Sequence, residues 1–273
     1  ADPQQVNDTF STTILNIPND TISLASPFTD DFETMGKVSI THDSVGVAPN
    51  GHWDYFNIND SGRMRSFVNE SITISGDRSI SLDEDRNVKN GSKNTFNGTF
   101  NLSNYDTGTT EVRVDFDYII HGNPKTAEGN IVAARGNDTL PWAPFFTYDL
   151  SAYPGFRTKA LSLSLTDVVR LTGHNFTTST QVSFGQNDTS LIAAKNFGNG
   201  ITIDNFKIYT VTNDASIKGI VSPQTSNCGL STSEPLTVRV HNGVNYTLYN
   251  LQLFYSMDGG TVYSGTIDSI KAK

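Results

Sequence analysis

Acidic side chains sit at two distant points of this chain where they could share a hard cation. Asp30, Asp31 and Glu33 crowd around Phe32 and repel one another unless something positive lies between them. In extended chain Asp31 and Glu33 share a face. Far downstream, Asp204 stands in GITIDNFKIY, a carboxylate among apolar neighbours. Burying it costs several kcal/mol unless it is paired, hydrogen-bonded or bound to a cation. Calcium suits such a cluster because it takes roughly six to eight oxygen ligands. Asp83, in SLDED, lies on a strand that could reach the others. Asp31, Glu33, Asp83 and Asp204 are therefore the candidate calcium set. A solvated acidic loop and a surface strand end are the competing readings.

Aromatic side chains offer a second chemistry, stacking on a pyranose face. Trp53 and Tyr55, in GHWDYF, and Trp142, in LPW, are the candidate ligand contacts. Core packing is the alternative for Trp53. The acid pairs Asp30/Asp31, Asp83/Asp85 and Asp115/Asp117 could serve a glycosidase, which needs two carboxyls across a cleft, but nothing in the sequence makes them face each other. The chain has no GxSxG, no HExxH and no paired nucleophilic Cys and His. Cys228, in SNCGLS, has no basic neighbour and reads as a small turn residue. These absences favour a binding module over an enzyme.

The elements that must position these residues are strands. Val182, Phe184 and Gln186 alternate with smaller residues. Residues 187–200 break that pattern. Over 201–208 the same alternation puts Ile201, Ile203, Asn205 and Lys207 on one face, and Thr202, Asp204, Phe206 and Ile208 on the other. SITIS (71–75) and SISLD (79–83) predict a strand pair joined at Gly76. Residues 95–105 alternate again. Within 111–120, Val112, Val114, Phe116 and Tyr118 face inward, which leaves Arg113, Asp115 and Asp117 solvated. Residues 130–134 predict a short strand and 36–69 an irregular stretch. LSLSLTDVVRLTG predicts either a strand followed by a helical turn or a short helix, with Thr166 as cap and Gly173 as stop.

Four ordered motifs resemble a known group. FTDDFET, SISLDED, EVRVDFDYIIHG and the run from FGQ to GITIDN are similar to the core strands of MAM-like jelly-roll domains. The group includes the cleaved-adhesin modules of bacterial gingipains and related domains of secreted Bacteroidetes proteins. The resemblance covers roughly residues 27–210 and lacks the disulfide cysteines of the vertebrate branch. It implies a structural calcium near the DFE-like opening and the closing Ile-Asp, and it places Trp142 at a sheet edge. Residues 216–273 resemble part of an Ig-like module of the same secreted proteins. Only four strands are readable there, where an Ig sandwich has about seven, so a longer parent chain is expected.

Composition agrees with an all-β, antiparallel jelly-roll sandwich followed by that partial unit. Gly, Asn, Ser and Thr are abundant, and Val, Ile, Thr, Tyr and Phe supply the apolar content. The net charge of −9 argues against nucleic acid, whose phosphates need Lys and Arg. No apolar run is long enough to cross a bilayer. A single cysteine leaves no internal disulfide. The N-x-S/T sequons at Asn7, Asn19, Asn59, Asn69, Asn90, Asn97, Asn101, Asn137, Asn175, Asn187 and Asn245 fit an Asn/Thr-rich composition as well as glycosylation. The expected division is 1–26 as leading strands, 27–210 as the jelly roll and 216–273 as the partial Ig-like unit. The expected role is a secreted or outer-surface adhesion module that binds a glycan or a surface protein beside further domains of its parent. The alternative is a carbohydrate-binding accessory module of a secreted hydrolase, or such a hydrolase itself.

Overall fold

Alternating apolar and polar residues form strands through most of the chain. The computed structural model describes residues 19–47, 51–67, 73–85, 91–121, 128–149, 157–188, 200–223 and 234–273. Its elements begin with β1 (Phe28–Asp30), β2 (Ser39–Ile40), β3 (Trp53–Asn57), β4 (Gly62–Arg65), β5 (Ile80–Glu84) and β6 (Ser92–Phe100). They continue with β7 (Glu111–His121), β8 (Ile131–Arg135), β9 (Ala143–Thr147), β10 (Thr158–Ser164), α1 (Leu165–Leu171), β11 (Thr180–Asp188) and β12 (Gly200–Val211). Then come β13 (Ala215–Ser222), β14 (Thr237–Asn242), β15 (Leu248–Ser256) and β16 (Val262–Ile270).

Two antiparallel sheets pack face to face as a jelly-roll-like, all-β sandwich. One runs β10-β7-β12-β5-β4-β2, with β1 also on β12; the other runs β3-β6-β11-β8-β9. The long β12 is shared along one edge. Its first half pairs with β5, Ile203 opposite Ile80, and its second half with β1, Ile208 opposite Phe28. The closing strand thus lies beside the opening one. Residues 71–75 and 79–83 do not form the predicted pair. Of that stretch, 71–72 fall outside the described residues, 73–79 is a turn, and β5 instead pairs with β4 and β12. The stretch read as irregular contains β2, β3 and β4.

The core between the sheets is aromatic. Trp53 stacks on Phe96 at 4.7 Å between centroids and meets Phe206 edge-on at 5.0 Å. Phe100, Phe116 and Phe184 close around them. Each such pair contributes about 0.5–1.5 kcal/mol beyond its buried area. Gly98 lets β6 run close to this cluster, because a Cβ there would lie 2.6 Å from the Phe100 ring and 2.8 Å from Trp53.

The helix follows β10 directly. Ser164, not Thr166, caps it, accepting from the Asp167 amide. Thr166 is buried and spends its hydroxyl on β7, donating to Thr110 O and accepting from Val112 N. Gly173 follows the helix at φ +76°.

β13 pairs with β14 and β15 with β16, and among the described residues neither pair joins a sandwich sheet. Polar contacts hold them against the end of β7. Arg113 reaches Asp214 at 2.9 Å and the Gly243 carbonyl. Lys273 reaches Asp167 at 2.7 Å and Glu111 at 3.3 Å. Asn242 links the two hairpins by donating to the Tyr246 and Lys271 carbonyls.

Candidate functional site

β7 presents Arg113, Asp115 and Asp117 on the outer face of the larger sheet, as strand alternation requires. The expectation that they are solvated fails for two of them. Asp117 is 4% exposed and Arg113 8%. Both strands beside β7 carry a bulge, β12 opposite Phe116 and β10 opposite Asp115. On β12 the register shifts between Asp204 and Lys207, with Asn205 at φ +51°. On β10 it shifts between Ala160 and Leu163, with Ser162 at φ +60°. A bulge adds a residue, bends the strand and re-aims the side chains that follow. Here the β12 bulge turns Phe206 and Ile208 into the core and keeps Asp204 on the outer side with Thr202. The predicted division of that strand is therefore corrected beyond Asp204.

Between these two bulges lies a cleft of about 310 Å³, lined by Ser75, Asp115, Phe116, Asp117, Arg157, Lys159, Leu161, Asn205 and Lys207. Its carboxylates are held from below. Asp117 accepts from Arg157 and, at 2.8 Å, from Asn205 Nδ2. Asp115 accepts from the Ser162 amide at 2.6 Å and the Tyr209 hydroxyl at 2.9 Å. The Lys207 ammonium lies 4.5 Å from the Tyr209 ring centre. Asp115, Asp117, Lys159, Asn205 and Lys207 stand on strands, so that part of the surface is preorganised.

The four carboxylates proposed for calcium do not converge. Asp83 is buried and bonded to Arg63 at 2.9 Å and to Arg65. Glu33 instead cradles the 73–79 turn, accepting from the amides of Asp77 and Arg78 at 3.0 Å. Asp204 holds the same turn from the other side, taking the Ser75 amide at 3.0 Å and the Ser75 and Ser79 hydroxyls at 2.9 Å. Burial raises the Asp204 pKa above the ordinary carboxylate value, against the pull of these hydrogen bonds. Asp31 is exposed and accepts from the Glu33 amide. Among the described residues no three His, Cys, Asp or Glu side chains gather as a metal would need. The donor set does not fit one shared cation, because two arginines already occupy Asp83.

The aromatic candidates are placed as follows. Trp53 and Tyr55 are fully buried and cannot stack on a sugar. The Trp53 Nε1 donates to Asp30 at 2.9 Å, and the Tyr55 hydroxyl to Asn94 at 2.7 Å. Trp142 is half-buried just before β9, an edge strand of the smaller sheet, with the Arg135 guanidinium 4.2 Å over its ring. It belongs to neither bulge nor cleft.

Further along the same outer face, His121 Nε2 meets the Thr202 hydroxyl at 2.7 Å, which meets the Ser81 hydroxyl at 2.7 Å. Burial, with the nearby Arg65 charge, lowers His121 to about 4. Thr202 is fully buried, so this hydroxyl–imidazole chain stiffens the sheet and offers no nucleophile to a substrate.

Sequons also serve the fold. Asn97, Asn101 and Asn245 are buried. Asn19, Asn59, Asn101, Asn175, Asn187 and Asn245 donate their side-chain amides to protein acceptors. Asn7, Asn69, Asn90 and Cys228 lie outside the described residues.

The cleft residues other than Asp115 and Asp117 carried no functional reading in the sequence. One signal was available: in ITIDNFKI the apolar residues fall at 201, 203, 206 and 208, a step of three inside a period of two. Such a step marks a bulge. Compared with known families and curated proteins, the chain matches no family model and no curated protein.

Proposed function

We propose that this chain is a non-catalytic ligand-binding module of a secreted or cell-surface protein, adhesive in role, and that its ligand is a glycan. The cleft between the two bulges carries this reading. It offers carboxylate, amide and ammonium groups from strands and a hydroxyl from the 73–79 turn, with Leu161 as an apolar wall. Sugar hydroxyls both donate and accept, and such a mixed surface suits them. A catalytic role draws no support from Asp115 and Asp117, each of which has one oxygen held by two neighbouring donors. The apolar side chains exposed on the C-terminal hairpins, Ile220, Phe254 and Val262 among them, support a place beside further domains.

A glycan array probed with wild type and with Asp115→Ala tests the reading. The expected result is selective binding that the substitution removes while the far-ultraviolet spectrum stays unchanged. Binding to no glycan, or equal binding by the variant, would overturn it.

A further inference from the structure

The charges of the cleft do not cancel. Arg157, Lys159 and Lys207 face only Asp115 and Asp117 across its lining, a local excess of positive charge in a chain of net charge −9. Lys159 stands opposite Asp117 in register and Lys207 opposite Asp115. Cross-strand neighbours of opposite sign would ordinarily neutralise each other. Here each carboxylate is taken by other groups: Asp117 by Arg157 and Asn205, and Asp115 by the Ser162 amide and the Tyr209 hydroxyl. No ion pair joins either lysine to a carboxylate among the described residues. Lys159 is exposed at the cleft edge, and Lys207 rests on the Tyr209 ring. The two flank β7 on opposite sides. Two strand spacings of roughly 4.8 Å and two residues of roughly 3.4 Å place their Cα atoms about 12 Å apart. That span takes a segment of oligosaccharide.

We propose that the cleft selects an anionic saccharide, with acid groups on Lys159 and Lys207 and hydroxyls on Asp115, Asn205 and Ser75. The proposal rests on the glycan reading above and adds the class of glycan. A carboxylate or a sulfate on the sugar would meet the same ammonium groups. A mixed lattice of charges explains why two acids remain in an anion site: they accept hydroxyls, while the lysines take the acid group. Charge-assisted hydrogen bonds are shorter and stronger than neutral ones, so the acid group is expected to dominate selectivity.

The test is calorimetric titration of the whole chain with three probes of matched length. One is an oligogalacturonide, one its carboxyl-reduced neutral counterpart, and one a sulfated galacto-oligosaccharide. The expected result is at least about tenfold tighter binding of one or both acidic probes, weakened by salt. Whichever acidic probe binds more tightly identifies the acid group. Lys159→Gln combined with Lys207→Gln should erase the preference, so that the variant binds acidic and neutral probes alike. Both positions are cleft-lining rather than core, so the double variant should fold. Equal affinity for neutral and acidic probes, or a preference that survives the double substitution, would overturn the anionic class and leave the glycan reading standing. Binding to none of the three, combined with an empty array, would remove both.

Discussion

Replacing Asp204 by alanine should loosen the larger sheet at its thinnest point. β12 is paired by β5 up to Ile203 and by β1 from Phe206, and the 73–79 turn fills the gap between them. Asp204 anchors that turn through the Ser75 amide and the hydroxyls of Ser75 and Ser79, and accepts from its own neighbour Asn205 at 2.7 Å. Alanine leaves these donors facing a void. Each lost bond costs about 1 kcal/mol net, and a buried donor left unpaired about 1–3 kcal/mol. The Ser75 hydroxyl retains a contact with Asn205, so three of the four losses remain. Burial of the charged carboxylate, the cause of its raised pKa, returns part of the cost. The net expectation is about 2–4 kcal/mol. At about 2–4 °C per kcal/mol for a domain of this size, Tm should fall by roughly 5–15 °C. The sign with pH follows from the raised pKa. Asp204 contributes stability that is fully present below its unfolded-state pKa and is lost as pH rises through the folded-state value. The gap between wild type and Asp204→Ala should therefore widen as pH falls. Urea denaturation followed by tryptophan fluorescence at two pH values measures both effects. A loss under about 1 kcal/mol, or a gap that narrows on acidification, would refute this account of the turn.

Three further outcomes are expected. His121 is held neutral with its pKa lowered to about 4, so its share of stability is present above the unfolded-state value of 6.5 and is lost as pH falls toward 4. At about 1.36 kcal/mol per unit the loss reaches at most about 3 kcal/mol, and His121→Gln should flatten the Tm–pH curve over that window; an unchanged slope would count against it. Wild-type melting curves in millimolar calcium and in chelator should superimpose, since arginines and turn donors occupy Asp83, Glu33 and Asp204; a calcium-dependent rise above 5 °C would show that the carboxylates rearrange around a cation (roughly 2–4 °C per kcal/mol). Arg113→Met removes the link to Asp214 and Gly243, so proteolysis between residues 211 and 215 should accelerate several-fold while the sandwich resists; cleavage rates equal to wild type would rule out Arg113 as the clasp.

Strands with one apolar face were legible in the sequence, because burial on one side enforces a period of two. The alternating sequences of β7 and β11 follow that rule. β3 and β4 were missed: they are short, carry polar residues on half their positions, and are flanked by glycine. The turn at 73–79 reads as a hairpin because Ile72, Ile74 and Ile80 alternate with polar residues, yet carboxylates from Glu33 and Asp204, distant in sequence, capture its amides. Local pattern cannot register partners that far away. The outer face of β7 was misread for the same reason. Asp117 and Arg113 look solvated in sequence, yet Asp117 is bonded by Arg157 and Asn205, and Arg113 by Glu111, Ser162, Asp214 and Gly243. Trp53 and Tyr55 show the reverse error: aromatic type suggested ligand stacking, while strand alternation alone would have turned both inward.

The position of β12 also governs the order in which the protein can assemble. It lies inside the larger sheet, yet its residues come after nearly all the others of the sandwich. Phe28 must wait for Ile208, and β5 and β7 stay apart until Gly200–Val211 arrives between them. A chain emerging from a ribosome or a translocation channel therefore carries an open slot, bordered by unsatisfied strand edges, until that last insertion. Pairings of such long sequence separation slow folding and expose the intermediate to mispairing. A synthetic peptide of residues 200–211 should bind truncated chains that lack it, so the same strand that completes the sheet gives a handle for trapping its precursor.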